Sequence, residues 1–214
     1  MEILSWIIIA IVILIFALFP YIWRHKIYKK NQSRNTIKWY QYVGVALICV
    51  VVLVVGFVGF LHLNNDIGIS ESKIEADIRT SQNINAEWVI EGTVSDTMAA
   101  FISYPQDQSG HIFSVYINRP GLSIGYFFRD GGTIETVEKS IMEFTFDGYD
   151  ECAFIPMNTQ NVARLEIGDG QEIQTINIDN EKPFAIVVPA YTETITFYDA
   201  QGNIVEYEKD IFVS

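Results

Sequence analysis

Two long stretches without a single charge, Ile3–Trp23 and Trp39–Leu63, constrain this chain more than anything else in it. Between them runs RHKIYKKNQSRNTIK, residues 24–38, which holds Arg24, Lys26, Lys29, Lys30, Arg34 and Lys38, six of the fourteen Lys and Arg. A helix rises about 1.5 Å per residue, so each stretch is long enough to cross the roughly 30 Å hydrocarbon core of a bilayer. Fourteen residues of Ile3–Trp23 are Ile, Leu, Val or Phe, each favouring insertion by a few tenths of a kcal/mol. Trp6, Tyr21 and Trp23 in the first stretch, with Trp39, Tyr40 and Tyr42 in the second, stand where interfacial aromatic belts belong. The pattern predicts a transmembrane hairpin, with helices at about 3–23 and 41–63.

A cleavable signal peptide would carry its bases before a shorter apolar core. Here only Met1 and Glu2 precede the run and the bases follow it, so the first helix is expected to stay in the membrane. Short loops rich in Lys and Arg remain cytoplasmic. The six bases of residues 24–38 are therefore the topology determinants, and both termini are expected outside. That turn can also attract anionic head groups. Neither apolar run has an ionisable group deep within it, which disfavours a transporter, a proton relay or a pore. Gly44, Gly56 and Gly59, with Ala10 and Ala17, offer small surfaces for helix packing, without a G-x-x-x-G pattern.

Charge divides the chain at the same place. Residues 1–63 carry six bases and one acid, whereas residues 64–214 carry eight bases and twenty-five acids. The acidic part would repel phosphates, so nucleic acid is excluded as a partner. Two cysteines, Cys49 in an apolar run and Cys152 in the acidic part, do not make a disulfide framework.

Residues 64–86 are polar, with Ile67, Ile74 and Ile78 at helical spacing and Ser72-Lys73-Ile74-Glu75 in capping-box form. They read as a partly helical juxtamembrane stalk. From Glu87 the period changes to two. Trp88, Ile90 and Val94 share a face, Phe113, Val115 and Ile117 alternate with polar neighbours, and so do Ile195 and Phe197. Phe184–Val188 is a continuous apolar run, expected of a strand covered on both sides. Asp130-Gly131-Gly132, Asp147-Gly148, Gly168-Asp169-Gly170 and Ala200-Gln201-Gly202-Asn203 read as turns. Residues 87–214 are accordingly expected to form one mainly-β domain, an immunoglobulin-like antiparallel β-sandwich. Residues 133–141 fit either a helix or a strand, with strand favoured at the C-terminal end.

The last hairpin, TITFYDAQGNIVEY over 194–207, resembles the closing hairpins of bacterial immunoglobulin-like extracytoplasmic modules. With the anchor layout, the chain resembles uncharacterised membrane-anchored proteins of Gram-positive bacteria. The resemblance implies a location in the cell envelope and a fold class, and no activity.

Chemistry finds little purchase. Gly121-Leu122-Ser123-Ile124-Gly125 matches the G-x-S-x-G nucleophile elbow, but no His follows His111 and the segment runs on into Tyr126-Phe127-Phe128 as if in one strand. His25, His62 and His111 are too dispersed for zinc. Asp147, Asp150 and Glu151 gather carboxylates without the spacing of a calcium loop. No catalytic, metal or cofactor residue is expected. Tyr104, Tyr116 and the Tyr126-Phe127-Phe128 run are more informative. Successive strand residues face opposite ways, so Phe127 and Phe128 cannot enter one core, and Tyr126, Phe127 and Phe128 form a candidate interface.

The expected function is a membrane-anchored envelope protein whose acidic β-sandwich binds a protein partner or a wall component, with accessory-subunit membership of a membrane complex as one form. The competing expectations are an envelope hydrolase using a carboxylate pair hidden in the linear sequence, and a sensor or regulator. The expected partners are the lipid bilayer and a membrane or envelope protein.

Overall fold

The computed structural model describes residues 39–169, 172–190, 192 and 194–212. The first expected helix and all six topology-determining bases, Arg24 to Lys38, lie outside those residues. Contacts divide the chain into two units that meet between Ile67 and Gly68.

The first unit contains helix α1, Trp39–Leu63. It has no acid in its first turn, and over Ala46–Leu63 its mean hydropathy is 2.8. Large apolar side chains from Leu47 to Val58 stand exposed along it. Its C-terminus is closed locally. Asn64 Nδ2 and N–H donate to Phe60 O, Asn65 adopts φ 56°, and the Asp66 N–H bonds Leu61 O at 2.9 Å. A left-handed Asn just past the last turn satisfies carbonyls the helix leaves orphaned.

The second unit is mainly β. Its elements are α2 (Glu71–Ser81), β1 (Val89–Val94), β2 (Met98–Tyr104), β3 (Ile112–Asn118), β4 (Tyr126–Gly132), α3 (Glu135–Lys139), β5 (Ile141–Phe146) and β6 (Glu151–Ile155). They continue with β7 (Val162–Asp169), β8 (Glu172–Asn177), β9 (Ile186–Pro189), β10 (Thr194–Asp199), β11 (Ile204–Val205) and β12 (Tyr207–Phe212). The strands pair as three four-stranded sheets, β1-β2-β3-β4, β12-β5-β6-β9 and β11-β10-β7-β8. All pairings are antiparallel except β5 with β12.

Alternation along the strands sorts the apolar residues into layers. Ala100, Ile102, Phe113 and Val115 of the first sheet pack against Phe144, Phe146, Ala153 and Ile155 of the second. The opposite face of the second sheet, with Ile141, Cys152, Phe154 and Val188, packs against Val162, Leu165, Ile167 and Phe197 of the third. The second sheet is thus covered on both faces, which is why ECAFI is apolar from Cys152 to Ile155 and why every residue of IMEFTF but Thr145 is buried. Of the Phe184–Val188 run, Ile186–Val188 joins the same sheet as β9, while Phe184 and Ala185 precede the strand. Sheets face each other as in a sandwich; the third sheet and the parallel β5–β12 pair go beyond two antiparallel sheets.

Several sequence expectations are corrected here. Residues 64–86 are not a stalk beyond residue 68. Ile74 and Ile78 of α2 are fully buried against Ala99 and Tyr116, on the face of the first sheet that the second sheet leaves open. A polar helix with one apolar stripe cannot bury a core alone, yet it closes a sheet face well. Ile67 stands outside the helix and is exposed. The helix is capped at Ser70 without a side-chain hydrogen bond, so Ser72 and Glu75 form no capping box. Residues 133–141 hold the five-residue α3, with Val137 buried, before β5 begins at Ile141.

Asp130-Gly131-Gly132 ends β4 instead of making a turn. A Cβ on Gly131 would lie 2.8 Å from Phe113 O and 2.9 Å from the Phe128 ring, so glycine there serves close packing. Gly168 and Asp169 close β7, with Asp169 paired to Glu172 of the antiparallel β8; the rest of that expected turn, at residues 170–171, lies outside the described residues. The other two turns are turns: Gly148 has φ 83°, and at 199–203 the Asp199 carboxylate accepts from the N–H groups of Gln201 and Asn203.

Candidate functional site

The candidate interface Tyr126, Phe127 and Phe128 lies on β4, the edge strand of the first sheet. Its register places the three side chains. Tyr126 pairs with Asn118, Phe127 with Ile117 and Phe128 with Tyr116; Asp130 then pairs with Val115, which leaves Arg129 as an extra, bulged residue. Tyr126 and Phe128 therefore face the α2 side, and Phe127 the other.

Tyr126 is half-buried, and its hydroxyl donates to Ser95 O in the β1–β2 turn. Its backbone is bridged to Ile69 by two hydrogen bonds of 2.8 Å. The ring of Phe128 meets Tyr116 edge-on at 5.5 Å and remains 46% exposed. Phe127 is partly covered by Arg119, whose guanidinium lies 4.0 Å above its ring. The bulged Arg129 lies 5.9 Å over Phe146, and both arginines draw down a Tyr149 hydroxyl that burial pushes up. Of the three residues predicted as interface, then, only Phe128 shows a large exposed face.

Tyr104 and Tyr116, named with the same aromatic group, are core residues. Burial and the nearby Glu91 push the Tyr104 hydroxyl up to about 12. Tyr116 donates to Asp77 Oδ2 at 2.7 Å and so ties α2 to β3.

The G-x-S-x-G segment is a loop joining β3 to β4, not the start of a strand. Ser123 is half-buried and its hydroxyl donates to Arg119 O at 2.6 Å. His111 is buried elsewhere: its Nε2 accepts the Ile134 N–H at 3.2 Å, and Nδ1 lies 3.6 Å from Glu138 Oε1. Burial holds its pKa low, with Glu138 pulling the other way. This is a wedged structural histidine.

The acidic turn does not converge. Asp147 and Asp150 are exposed, while Glu151 accepts from the hydroxyls of Ser95 and Thr97 and clips the β1–β2 turn onto β6. Among the described residues no cluster of His, Cys, Asp and Glu could hold a metal ion. Cys49 and Cys152 are both free. Burial and the neighbouring Glu143 push the Cys152 thiol up to about 12, far from a nucleophilic thiolate. Two surface hollows are lined by few groups. One of about 500 Å³ lies between the start of α2 and the first sheet, lined by Ser70, Glu71, Ser72, Glu75, Val94 and Phe101. The other, about 370 Å³, borders Trp88 and Pro105.

What sequence reasoning missed is the β3–β4 loop itself. Leu122 is 65% exposed and Ile124 57% exposed, although both are large and apolar. A signal was present: from Gln108 through Arg129 this otherwise acidic region carries no carboxylate. Comparison with family models, with curated proteins and with solved structures finds no match.

Proposed function

We propose that this protein is a cell-envelope protein held in the membrane by a two-helix hairpin, Ile3–Trp23 and Trp39–Leu63. Residues 24–38 are cytoplasmic; both termini and the C-terminal domain are extracytoplasmic, in keeping with the resemblance to anchored proteins of Gram-positive bacteria. The acidic domain, its sheets facing as in an immunoglobulin-like sandwich, binds a protein partner or wall component without catalysis, as an accessory subunit would. The observation that carries the reading is α1, a 25-residue helix whose large apolar side chains from Leu47 to Val58 stand exposed. Surface of that extent and character is stable against lipid and unstable against water. Phe128, 46% exposed on the edge strand β4, supports recognition by the domain, since aromatic side chains are enriched at the energetic centres of interfaces.

A reporter enzyme active only in the cytosol tests the topology. Inserted among residues 24–38 it should be active, and fused after Ser214 it should be silent; activity at Ser214 would reverse the orientation. Crosslinking in intact cells tests the recognition. A crosslinked species lost on Phe128→Ala supports it, and a domain that crosslinks to nothing removes it.

A further inference from the structure

The β3–β4 loop exposes Leu122 and Ile124 at 65% and 57%, in a segment that folding does not require to be apolar. Chain connectivity says what lies beside it. The Asp66 N–H closes the end of α1 on Leu61 O, and the Gly68 N–H donates to Ile124 O at 2.7 Å. Two residues of chain, at most about 7 Å when extended, join those two fixed points. The loop is consequently hydrogen-bonded to the chain two residues after the one that closes α1.

The pairing is built closely. A Cβ on Gly68 would fall 2.5 Å from Tyr126 O, and one on Gly125 would fall 2.8 Å from Ile69 O. Gly125 also has φ 88°. Two glycines therefore let the segment leaving α1 lie against the loop that carries Leu122 and Ile124. Charge agrees with the placement. Arg119 leads into the loop and Gln108–Arg129 itself contains no carboxylate; the nearest acids, Glu71, Asp96 and Glu151, face the Tyr126 hydroxyl. Pro120 and Gly121 at the tip, with Ser123 donating to Arg119 O, leave few backbone groups that need deep water.

We infer that residues 120–125 form a membrane-contacting loop, with Leu122 and Ile124 inserted among lipid head groups and upper acyl chains and Arg119 beside phosphates. Interfacial apolar side chains flanked by cations are the chemistry that favours such a position. This inference rests on α1 being a membrane span.

The full chain, reconstituted in vesicles of phosphatidylglycerol and phosphatidylcholine, provides the test. An environment-sensitive fluorophore is attached at Leu122→Cys or Ile124→Cys in a Cys49→Ala background, Cys152 being fully buried. Ile204→Cys, at another exposed apolar position, is the aqueous control. A separate sample carries the label on native Cys49 and reports on the anchor. Quenching of the 122 and 124 labels by nitroxide lipids, at least threefold above the Ile204 control, supports the proposal. Quenching by aqueous iodide to the level of the Ile204 control overturns it while a lipid-quenched Cys49 label leaves the anchor standing. Shielding from iodide without lipid quenching means that protein, a second copy or another chain, covers the loop, and also overturns it. A Cys49 label open to iodide overturns the anchor and the loop proposal together.

Discussion

Helix α1 and strand β6 are both written almost wholly in apolar residues, and the molecule treats them oppositely. β6, ECAFI, has Ala153 and Ile155 buried on one face and Cys152 and Phe154 on the other. In α1, Val50 to Val55 are all exposed, from 38% to 65%, among the described residues. The difference teaches that apolar composition demands a cover without saying which. A strand of five residues between sheets gets it from its own chain, and a 25-residue helix, too long for so small a domain to wrap, requires it from elsewhere.

The sharpest way to break that comparison is to shrink one side chain in each region. Phe154 packs edge-on against Phe197 at 5.0 Å and Tyr207 at 5.1 Å, and is fully buried. Phe154→Ala should destabilise the domain by about 3–5 kcal/mol, the loss typical of a large buried ring. Val55→Ala should leave the domain's urea midpoint where it was. Equal losses would mean that α1 is part of the same folded core.

Next in size is α2, which decides where the domain begins. Ile78→Ala should cost about 2–4 kcal/mol in urea unfolding, because its side chain is fully enclosed by the first sheet. A change below about 0.5 kcal/mol, the range of exposed substitutions, would restore the reading of residues 64–86 as a free stalk.

These two predictions also show what was legible in the sequence. Period-two alternation at Trp88, Ile90 and Val94 and at Phe113, Val115 and Ile117 names the strand faces correctly, because each strand's inner face must be apolar. It cannot say that the outer face of the first sheet is closed by the helix that precedes that sheet in the chain; Ile74, Ile78, Ala99 and Tyr116 meet only in space. The glycines of β4 were misread for a related reason. Gly131 looks like turn chemistry, but its need is the Phe128 ring lying against it, a tertiary contact. Of the candidate interface, the aromatic run was visible and its partition was not. Which of Phe127 and Phe128 is covered depends on the Arg129 bulge and on Arg119. The apolar loop at Leu122 and Ile124 was hidden by its resemblance to a nucleophile motif.

Acid separates two buried polar groups on neighbouring layers. His111 has a folded pKa below its unfolded value, chiefly through burial. As pH falls through the unfolded value near 6.5, the unfolded chain takes up the proton first, so stability is lost on acidification until the folded group titrates too. Thermal midpoints should therefore drop between neutral pH and pH 5, and Glu138→Gln, which removes the opposing attraction, should deepen the drop. A flat profile across that range would show that His111 is already hydrated.

Glu143 should produce the smallest effect and the opposite sign. It is buried on the second sheet, its Oε2 accepts no hydrogen bond, and the exposed ammonium of Lys209 stands 3.7 Å away. Burial raises its carboxyl pKa, with Lys209 opposing, so the folded state prefers the protonated acid. That preference stabilises fully below the unfolded value and is lost as pH rises through the folded one. Near pH 7.5 the ionised carboxylate is a net burden. Glu143→Gln, isosteric and neutral, should raise stability there by up to about 1 kcal/mol, the scale of one imperfect partner exchanged for another. The gain should fade as pH approaches 4, where the native carboxyl is itself neutral. If the variant is instead less stable at pH 7.5, the Lys209 pair outweighs desolvation, and this edge of the second sheet is held by charge.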